Sequence, residues 1–426
     1  MSKDQDQKKS NAYDLRAVLE EIELDLIRNL RRNLKRHEKE EEEEGFRWEM
    51  WQKAKLRNIA KYRKKNKEIV GERSKEIEDL INKTLQESFD TAESMMEKLF
   101  RKIKSFFSRR GMRYPKDISN RGLDKRELPE EDFFDVNEKK IDALQKTAEP
   151  VKQPDDAYVP EGREKELTGK DNDQKLDDLK KQVNRDMKEA RDVIWRRMDD
   201  IYRQTIYKTE MFMAAGAKTL DQAIDMATKD FLAGGIDCIE YSNGRRVNIA
   251  SYAEMALRTA SQRATILAEG KKRDEWGIHT IFVSAHANTC PKCEPWQGKV
   301  LVDDVFSSGT AAEAAELCVP LLSTAMKAGL LHPNCRHTLA TYFPDITTLP
   351  KVPDKEKSLK TYEAEQKQRA LERAIRKAKR KVAGACDNDN IRKAQAELRA
   401  LQKQIREHLD QHPELRRDYN REKLRD

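Results

Sequence analysis

Apolar residues recur at helical spacing over long stretches, and this pattern limits the fold more than any other feature. Between 15 and 34, leucine and isoleucine follow steps of three and four residues, which aligns them on one helix face. Similar stripes run through 77–106 and 176–205, and each is long enough for about eight helical turns. Charged residues make up 38% of the 426-residue chain, so the other faces are polar. The sequence predicts a predominantly α-helical protein of long amphipathic helices, with a small α+β segment that contains the Cys and His residues.

Breaks in the helical pattern divide the chain into six expected parts. Prolines interrupt it repeatedly between 115 and 160, which indicates a linker without regular structure. Ser242-Asn243-Gly244 separates two short apolar runs, and Asn-Gly favours the type I′ turn of a β-hairpin. The expected parts are a charged helical N-terminal region (1–108), a disordered linker (109–171), a helical region with a β-hairpin at about 236–249 (172–275), a small Cys/His segment (276–345), a proline linker (346–356) and a basic helical tail (357–426).

The C-terminal tail holds most of the excess positive charge. Residues 361–426 contain 18 Lys/Arg and 12 Asp/Glu. Apolar positions within 371–382 and 391–409 predict two helices joined by a short loop, that is, a helical hairpin. The basic run 373–381 can neutralise DNA phosphates, meet an acidic protein surface, or form a solvated helix face, and charge does not choose among these.

Several protein classes are not supported by the sequence. No stretch reaches the roughly 18 apolar residues of a membrane-spanning helix, and the first residues lack the apolar region of a secretory signal. Four of the six cysteines lie between 290 and 335, which favours a metal site or buried thiols over a disulfide framework. Neither a phosphate-binding Gly-x-x-x-x-Gly-Lys loop nor a Gly-x-Ser-x-Gly elbow occurs.

Two pairs of metal-ligand residues lie in the Cys/His segment. Cys290-x-x-Cys293 is followed by His332-x-x-Cys335-x-His337, and a loop that joins two such pairs can close a tetrahedral zinc site. We predict a structural Zn²⁺ bound by Cys290, Cys293, His332 and Cys335, with His337 or His286 as substitutes. Four protein ligands leave no position for a reactive water. The alternative is a set of buried thiols and hydrogen-bonded histidines that hold a loop-rich segment.

Catalysis by this segment is weakly supported. A zinc deaminase needs a His-x-Glu pair before its cysteines. Neither His279 nor His286 forms such a pair, because neither has a Glu two positions after it. A zinc-dependent nucleic-acid-modifying enzyme would need a nearby carboxylate, for which Asp303 and Asp304 are the candidates. We therefore expect no enzymatic activity, and keep this enzyme and a DNA-binding accessory protein as alternatives.

Several short motifs resemble one family when they are read in order. They are Tyr252–Thr259, Val283–His286, Trp296–Lys299, Asn334–His337, Glu372–Lys377 and Leu415–Glu422. Together they resemble the minor capsid proteins of tailed phages of Gram-positive bacteria, the phage minor capsid protein 2 family. The Cys-x-x-Cys and His-Pro-Asn-Cys-Arg-His elements are also similar to head-morphogenesis proteins related to the F protein of phage Mu. The resemblance covers roughly residues 190–426, and the N-terminal 170 residues do not map onto it.

The resemblance implies a structural head protein that lies near the portal and acts in head morphogenesis or in DNA packaging and ejection. Its implied partners are the portal protein, other head proteins and packaged DNA, with no membrane. Its implied location is the virion, after assembly in the host cytoplasm, in a small number of copies per head.

Overall fold

The computed structural model describes residues 11–34, 48–109, 172–214, 219–237, 239–240, 246–344 and 347–422. Beyond its first residue, the predicted linker 109–171 lies outside the described residues, and so does the predicted turn Ser242-Asn243-Gly244.

Helices dominate the described residues, as the apolar stripes predicted. None of these helices is both long and apolar enough to cross a membrane. The helices are α1 (Ala12–Leu34), α2 (Trp48–Arg57), α3 (Ile59–Glu72), α4 (Ser74–Arg109), α5 (Asn172–Ala214), α6 (Leu220–Gly234), α7 (Ile249–Trp276), α8 (Ala311–Glu316), α9 (Leu322–Lys327), α10 (Lys355–Gly384) and α11 (Asn388–Gln411). The strands are β1 (Ile239–Glu240), β2 (Arg246–Val247), β3 (Thr280–Val283), β4 (Val300–Val302) and β5 (Leu339–Thr341).

The chain forms two compact units. The first contains the described residues within 82–183 and 255–363, and the second those within 11–81, 184–254 and 364–426. The boundaries of the six predicted parts remain a prediction.

A three-stranded antiparallel sheet organises the first unit. Its strand order is β4-β3-β5, so β3 is central and pairs Ile281 with both Leu301 and Thr341. Ile281 and Leu301 are fully buried. The apolar stretches 278–284 and 299–302 predict β3 and β4 from the sequence. No such stretch predicts β5, which has only three residues and follows the ligand run directly.

A buried ion pair fixes the loop after β4. Asp303 accepts hydrogen bonds from the backbone N–H groups of Val305 and Phe306, at 3.2 and 2.8 Å, and forms a 2.6 Å ion pair with Arg273 of α7. The side chains of Arg273 and Asp303 are both 0% exposed. Gly270 lets α7 approach this loop, since a Cβ there would lie 2.0 Å from the Phe306 carbonyl oxygen.

Helix α1 lies in the core of the second unit. Fifteen of its 23 residues are buried, on more faces than the single apolar stripe predicted. The extra buried positions include Arg16, Glu20, Glu23 and Asn29. Burial of such groups is costly unless each one finds a partner.

These polar groups of α1 are paired inside the second unit. Arg16 binds Glu20 and Glu254, at 2.7 Å in each case. Glu23 Oε1 accepts hydrogen bonds from the Ile236 backbone N–H at 2.7 Å and from Asn248 Nδ2 at 2.5 Å. The Arg380 guanidinium lies 3.6 Å from Glu23 Oε2. Helix α1 is therefore held by ionic contacts as well as by its apolar stripe.

The C-terminal tail is a helical hairpin, as its two apolar stripes predicted. Lys381 of α10 binds Glu397 of α11 at 2.6 Å, and His408 Nε2 lies 2.9 Å from the Ala364 carbonyl oxygen, so the two helices run antiparallel. Helix α10 begins at Lys355, well before the first apolar position of the predicted helix, because its first turns are charged and give no stripe.

Much of the basic run 373–381 is bonded within the second unit. Arg376 and Arg380 are buried. Arg376 donates to the Arg421 carbonyl oxygen, and Arg380 donates to the carbonyl oxygens of Leu232 and Ala233, at 3.3 and 3.0 Å. Burial lowers the pKa of Arg376 to about 10. These cations stabilise the fold and are not presented to a polyanion.

Helix α7 begins at Ile249, two residues before Ser251, although Ser251 and Glu254 have the spacing of a capping box. Asn248 Oδ1 accepts instead from the backbone N–H groups of Ala250 and Ser251, at 3.0 and 3.3 Å, and so caps the helix. Thr219 caps α6 through a 3.2 Å hydrogen bond from the Gln222 N–H.

We predict that Glu23→Ala destabilises the protein by about 3–5 kcal/mol, because it leaves buried donors and the Arg380 charge without their acceptor. Urea-induced unfolding, followed by the helical circular dichroism signal, measures this loss. Asp25→Ala is the matched control on the same helix, since Asp25 and Arg28 are both 46% exposed and their pairing contributes less than about 1 kcal/mol. Equal losses for the two variants would contradict a central role for Glu23.

Candidate metal centre

Each predicted ligand pair forms a tight turn. In the first turn, the Cys293 backbone N–H donates to the Cys290 carbonyl oxygen at 3.2 Å. In the second, the Cys335 N–H donates to the His332 carbonyl oxygen at 2.8 Å, and Asn334 takes a positive φ of 62°. A turn of four residues brings its first and last residues close together, and these are the predicted ligands in both cases.

The two turns contact each other through equivalent positions. The first residues are in contact, with Cys290 Sγ 3.0 Å from His332 Nε2. The last residues are also in contact, with Cys293 Sγ 3.6 Å from Cys335 Sγ. The structure therefore brings the four predicted ligands, Cys290, Cys293, His332 and Cys335, into one cluster of two contacting pairs. No group of the described residues whose ligand atoms lie within 4.8 Å of one another contains all four.

Two overlapping triads in this cluster are able to hold a metal ion. One consists of Cys290, Cys293 and His332, and the other of Cys293, Cys335 and His337. The ligand atoms of each triad lie within 4.8 Å of one another. Cys293 is common to both, and its side chain is completely buried.

The two predicted substitutes occupy different positions. His337 Nδ1 lies 3.5 Å from Cys335 Sγ. His286 belongs to neither triad. Its ring lies against that of His337, with the centroids 4.1 Å apart, so it contacts the cluster through a second histidine.

The thiols in the cluster differ in acidity. Hydrogen bonding with Cys293 lowers the pKa of Cys290, and the neighbouring His332 lowers it further. The pKa of Cys335 is also lowered, by hydrogen bonding with Cys293 and then with His337. The pKa of Cys293 is raised, because its thiol is the donor between two thiolates. The cluster thus collects the negative charge that a soft cation requires.

The orientation of His332 suits a metal ligand. Its Nδ1 lies 2.8 Å from the Pro333 carbonyl oxygen, so the proton of the neutral ring is on Nδ1. Nε2 faces Cys290 Sγ, and this contact raises the pKa of His332. A metal ion bound here would take the place of the Nε2 proton. Metal-binding histidines commonly have their second nitrogen bonded to a carbonyl group in this way.

One side of helix α7 holds the second turn. Thr259 Oγ1 accepts from the Asn334 N–H at 3.3 Å. Gln262 Nε2 donates to the His337 carbonyl oxygen at 2.6 Å, and Arg263 donates to that of Leu331 at 3.0 Å. Sequence reasoning missed these supporting residues; the available signal was polar residues at helical spacing in an otherwise alanine-rich helix.

The segment after the first turn is bonded to that turn and to His286. Trp296 is buried in a short 3₁₀ turn, and its backbone N–H donates to the Cys293 carbonyl oxygen at 3.0 Å. Gln297 accepts from the His286 N–H at 2.8 Å. The distinctive Trp296-Gln297-Gly298-Lys299 stretch is therefore tied to the first ligand turn and leads into β4.

The two carboxylates considered for catalysis have structural contacts. Asp303 binds Arg273 and the loop that follows β4. Asp304 accepts from the N–H and the hydroxyl of Ser323, at 2.9 and 2.5 Å, at the start of α9.

The donor set fits a borderline-soft cation. Three thiol sulfurs and an imidazole nitrogen are the ligands that tetrahedral zinc prefers, whereas Ca²⁺ and Mg²⁺ prefer oxygen. The cluster cysteines are all free of disulfides.

Comparison with known proteins places this helical chain among the structural proteins of bacteriophages. The family model for phage minor capsid protein 2 matches residues 132–410, more than half of the chain. The chain therefore belongs to the phage minor capsid protein 2 family. The matched region includes the whole Cys/His cluster.

A curated relative supports the same class. A structural protein of Lactococcus phage LL-H is 25% identical over 227 residues, which cover 52% of this chain and 61% of that protein. The chain thus spans less than two thirds of that relative's length. No solved structure matches the chain.

We predict that Cys335→Ser lowers zinc affinity by more than about 100-fold, because removal of a ligand costs more than the roughly 10–100-fold loss from an outer partner. We also expect residues 276–345 to unfold. Metal analysis and thermal unfolding of the purified chain measure both effects. Cys318→Ser is the control, because Cys318 is exposed and belongs to neither triad. Wild-type metal content and stability in Cys335→Ser would show that the segment does not depend on this ligand.

Proposed function

We propose that this phage structural protein is a component of the head that binds the portal and acts in head morphogenesis or in DNA packaging and ejection. It assembles in the host cytoplasm and remains in the virion in a small number of copies. An architectural role is supported by the contact between the two ligand turns, first residue to first and last to last. This contact joins the two parts of the sheet segment, and the second turn is bonded to α7.

We further propose that this cluster binds one structural Zn²⁺ through Cys290, Cys293, His332 and Cys335. The contacts of Cys290 with His332 and of Cys293 with Cys335 support this proposal, and the four residues supply the sulfur and nitrogen donors that zinc requires. The carboxylates that an enzyme would use are bonded to other residues, Asp303 to Arg273 and Asp304 to Ser323. This arrangement supports the structural role over the zinc-dependent enzyme.

Exposed apolar residues support docking to other head proteins. Met95 and Leu99 lie one turn apart on α4 and are 65% and 39% exposed. Tyr207 and Met211 have the same spacing on α5 and are 64% and 56% exposed. Apolar residues one turn apart on an exposed helix face are well placed to contact a partner.

Direct DNA contact by the tail has less support, because Arg376 and Arg380 are buried. A DNA-binding role would appear as binding that weakens steeply with salt. Deletion of 361–426 does not test docking cleanly, since it removes these two arginines from the core of the second unit.

We predict that Met95→Lys/Leu99→Lys lowers incorporation into heads about tenfold or more, which corresponds to a loss of about 1.4 kcal/mol in docking. Tyr207→Lys/Met211→Lys tests the second surface in the same way. Quantitative mass spectrometry of purified heads, with a pull-down against the portal protein of the same phage, measures the effect.

Met95→Leu/Leu99→Met is the matched control, because it retains the apolar surface. Circular dichroism establishes that each variant is folded. Normal incorporation and portal binding of both Lys variants would refute docking through these surfaces, and failure of the wild-type chain to bind portal would refute portal association.

A further inference from the structure

The four-ligand site assigns no role to His337, the buried histidine beside it. His337 is 1% exposed and belongs to the second triad, so it competes with His332 for the position of nitrogen ligand. We propose that His332 is the zinc ligand and that His337 is a positioning residue, whose Nδ1–H donates to the Cys335 thiolate from outside the coordination sphere. This proposal rests on the proposed zinc site.

The equivalence of the two turns favours His332. Cys290 and His332 are the first residues of their turns and lie 3.0 Å apart. Cys293 and Cys335 are the last residues and lie 3.6 Å apart. One metal bound by the ends of both turns uses these four residues, whereas His337 lies beyond the end of the second turn.

Spacing along the chain gives the same answer. Ligand pairs of structural zinc sites are typically separated by two or more residues. His332 and Cys335 are separated by two residues, but Cys335 and His337 are separated by only one. His332 thus has the more usual spacing for a ligand that shares the metal with Cys335.

The surroundings of His337 suit a hydrogen-bond donor to sulfur. The hydroxyl oxygen of Thr289, a completely buried residue, lies 3.3 Å from His337 Nε2. When this hydroxyl donates to Nε2, the ring proton is on Nδ1, which lies 3.5 Å from Cys335 Sγ. Gln262 holds the backbone of His337 by donating to its carbonyl oxygen, and the ring of His286 lies against the His337 ring.

A donor at this position stabilises the bound metal. Zn²⁺ with three thiolates and one neutral imidazole has a net charge of −1, in a cluster where Cys293 is completely buried. A hydrogen bond to one thiolate offsets part of that charge and orients the sulfur. Loss of such an outer partner typically lowers metal affinity about 10–100-fold without changing the ligands.

Cobalt substitution of the full-length chain separates the two histidines, because the visible spectrum of Co²⁺ reports its ligands. We expect His332→Ala to change this spectrum and to abolish tight binding. His337→Leu should retain the four-coordinate spectrum while zinc affinity, from competition with a chelator, falls about 10–100-fold. His337→Asn should restore most of that affinity, because the Asn amide nitrogen can replace Nδ1 as donor.

The opposite result overturns the assignment: loss of the four-coordinate spectrum in His337→Leu and its retention in His332→Ala. If a variant fails to fold, cadmium-substituted wild-type protein decides the matter. Scalar coupling of the metal nucleus should then reach the imidazole protons of His332, and coupling to those of His337 would refute the proposal.

A wild-type chain that binds neither zinc nor cobalt would remove both this inference and the proposed zinc, while the head and portal assays still test the structural role separately.

Discussion

Buried charge has to be paired, and this requirement organises the helices of the second unit around α1. Glu23 is completely buried and accepts hydrogen bonds from the loop after α6 and from the residue that caps α7. Arg16 connects α1 to Glu254, and Arg380 of the tail lies beside Glu23. Because an unpaired buried charge is so unfavourable, these contacts allow few alternative arrangements of the helices. An amphipathic stripe alone would permit rotation or sliding of α1 against its neighbours.

The same reasoning changes the interpretation of the basic tail. A run of Lys and Arg is usually a solvated face or a polyanion-binding surface. Here Arg376 and Arg380 are buried and donate to backbone carbonyl groups. The tail therefore contributes to the core of its unit, and these two charges stabilise the fold.

In the first unit, the Cys/His cluster brings together elements that are distant in sequence. Two turns about 40 residues apart meet side by side, and one side of α7 bonds to the backbone around the second turn. A metal bound there would connect the turns directly, so a short segment with a three-stranded sheet gains a cross-link that its small core does not supply. Such a segment suits a virion protein, which has to keep its shape through assembly.

The sequence by itself determined the helical class, the positions of α1, α4, α5 and the tail hairpin, and the spacing of the ligand pairs, because each of these is local. Periodicity identifies a helix, and Cys-x-x-Cys identifies a turn with two sulfurs, without knowledge of the rest of the chain. Only the tertiary structure decided that Glu23, Arg376 and Arg380 are buried, that β5 completes the sheet, and that Thr259, Gln262 and Arg263 support the cluster. The physical reason is that a charged side chain has no pattern that reveals its partner, and burial depends on which distant groups satisfy its hydrogen bonds.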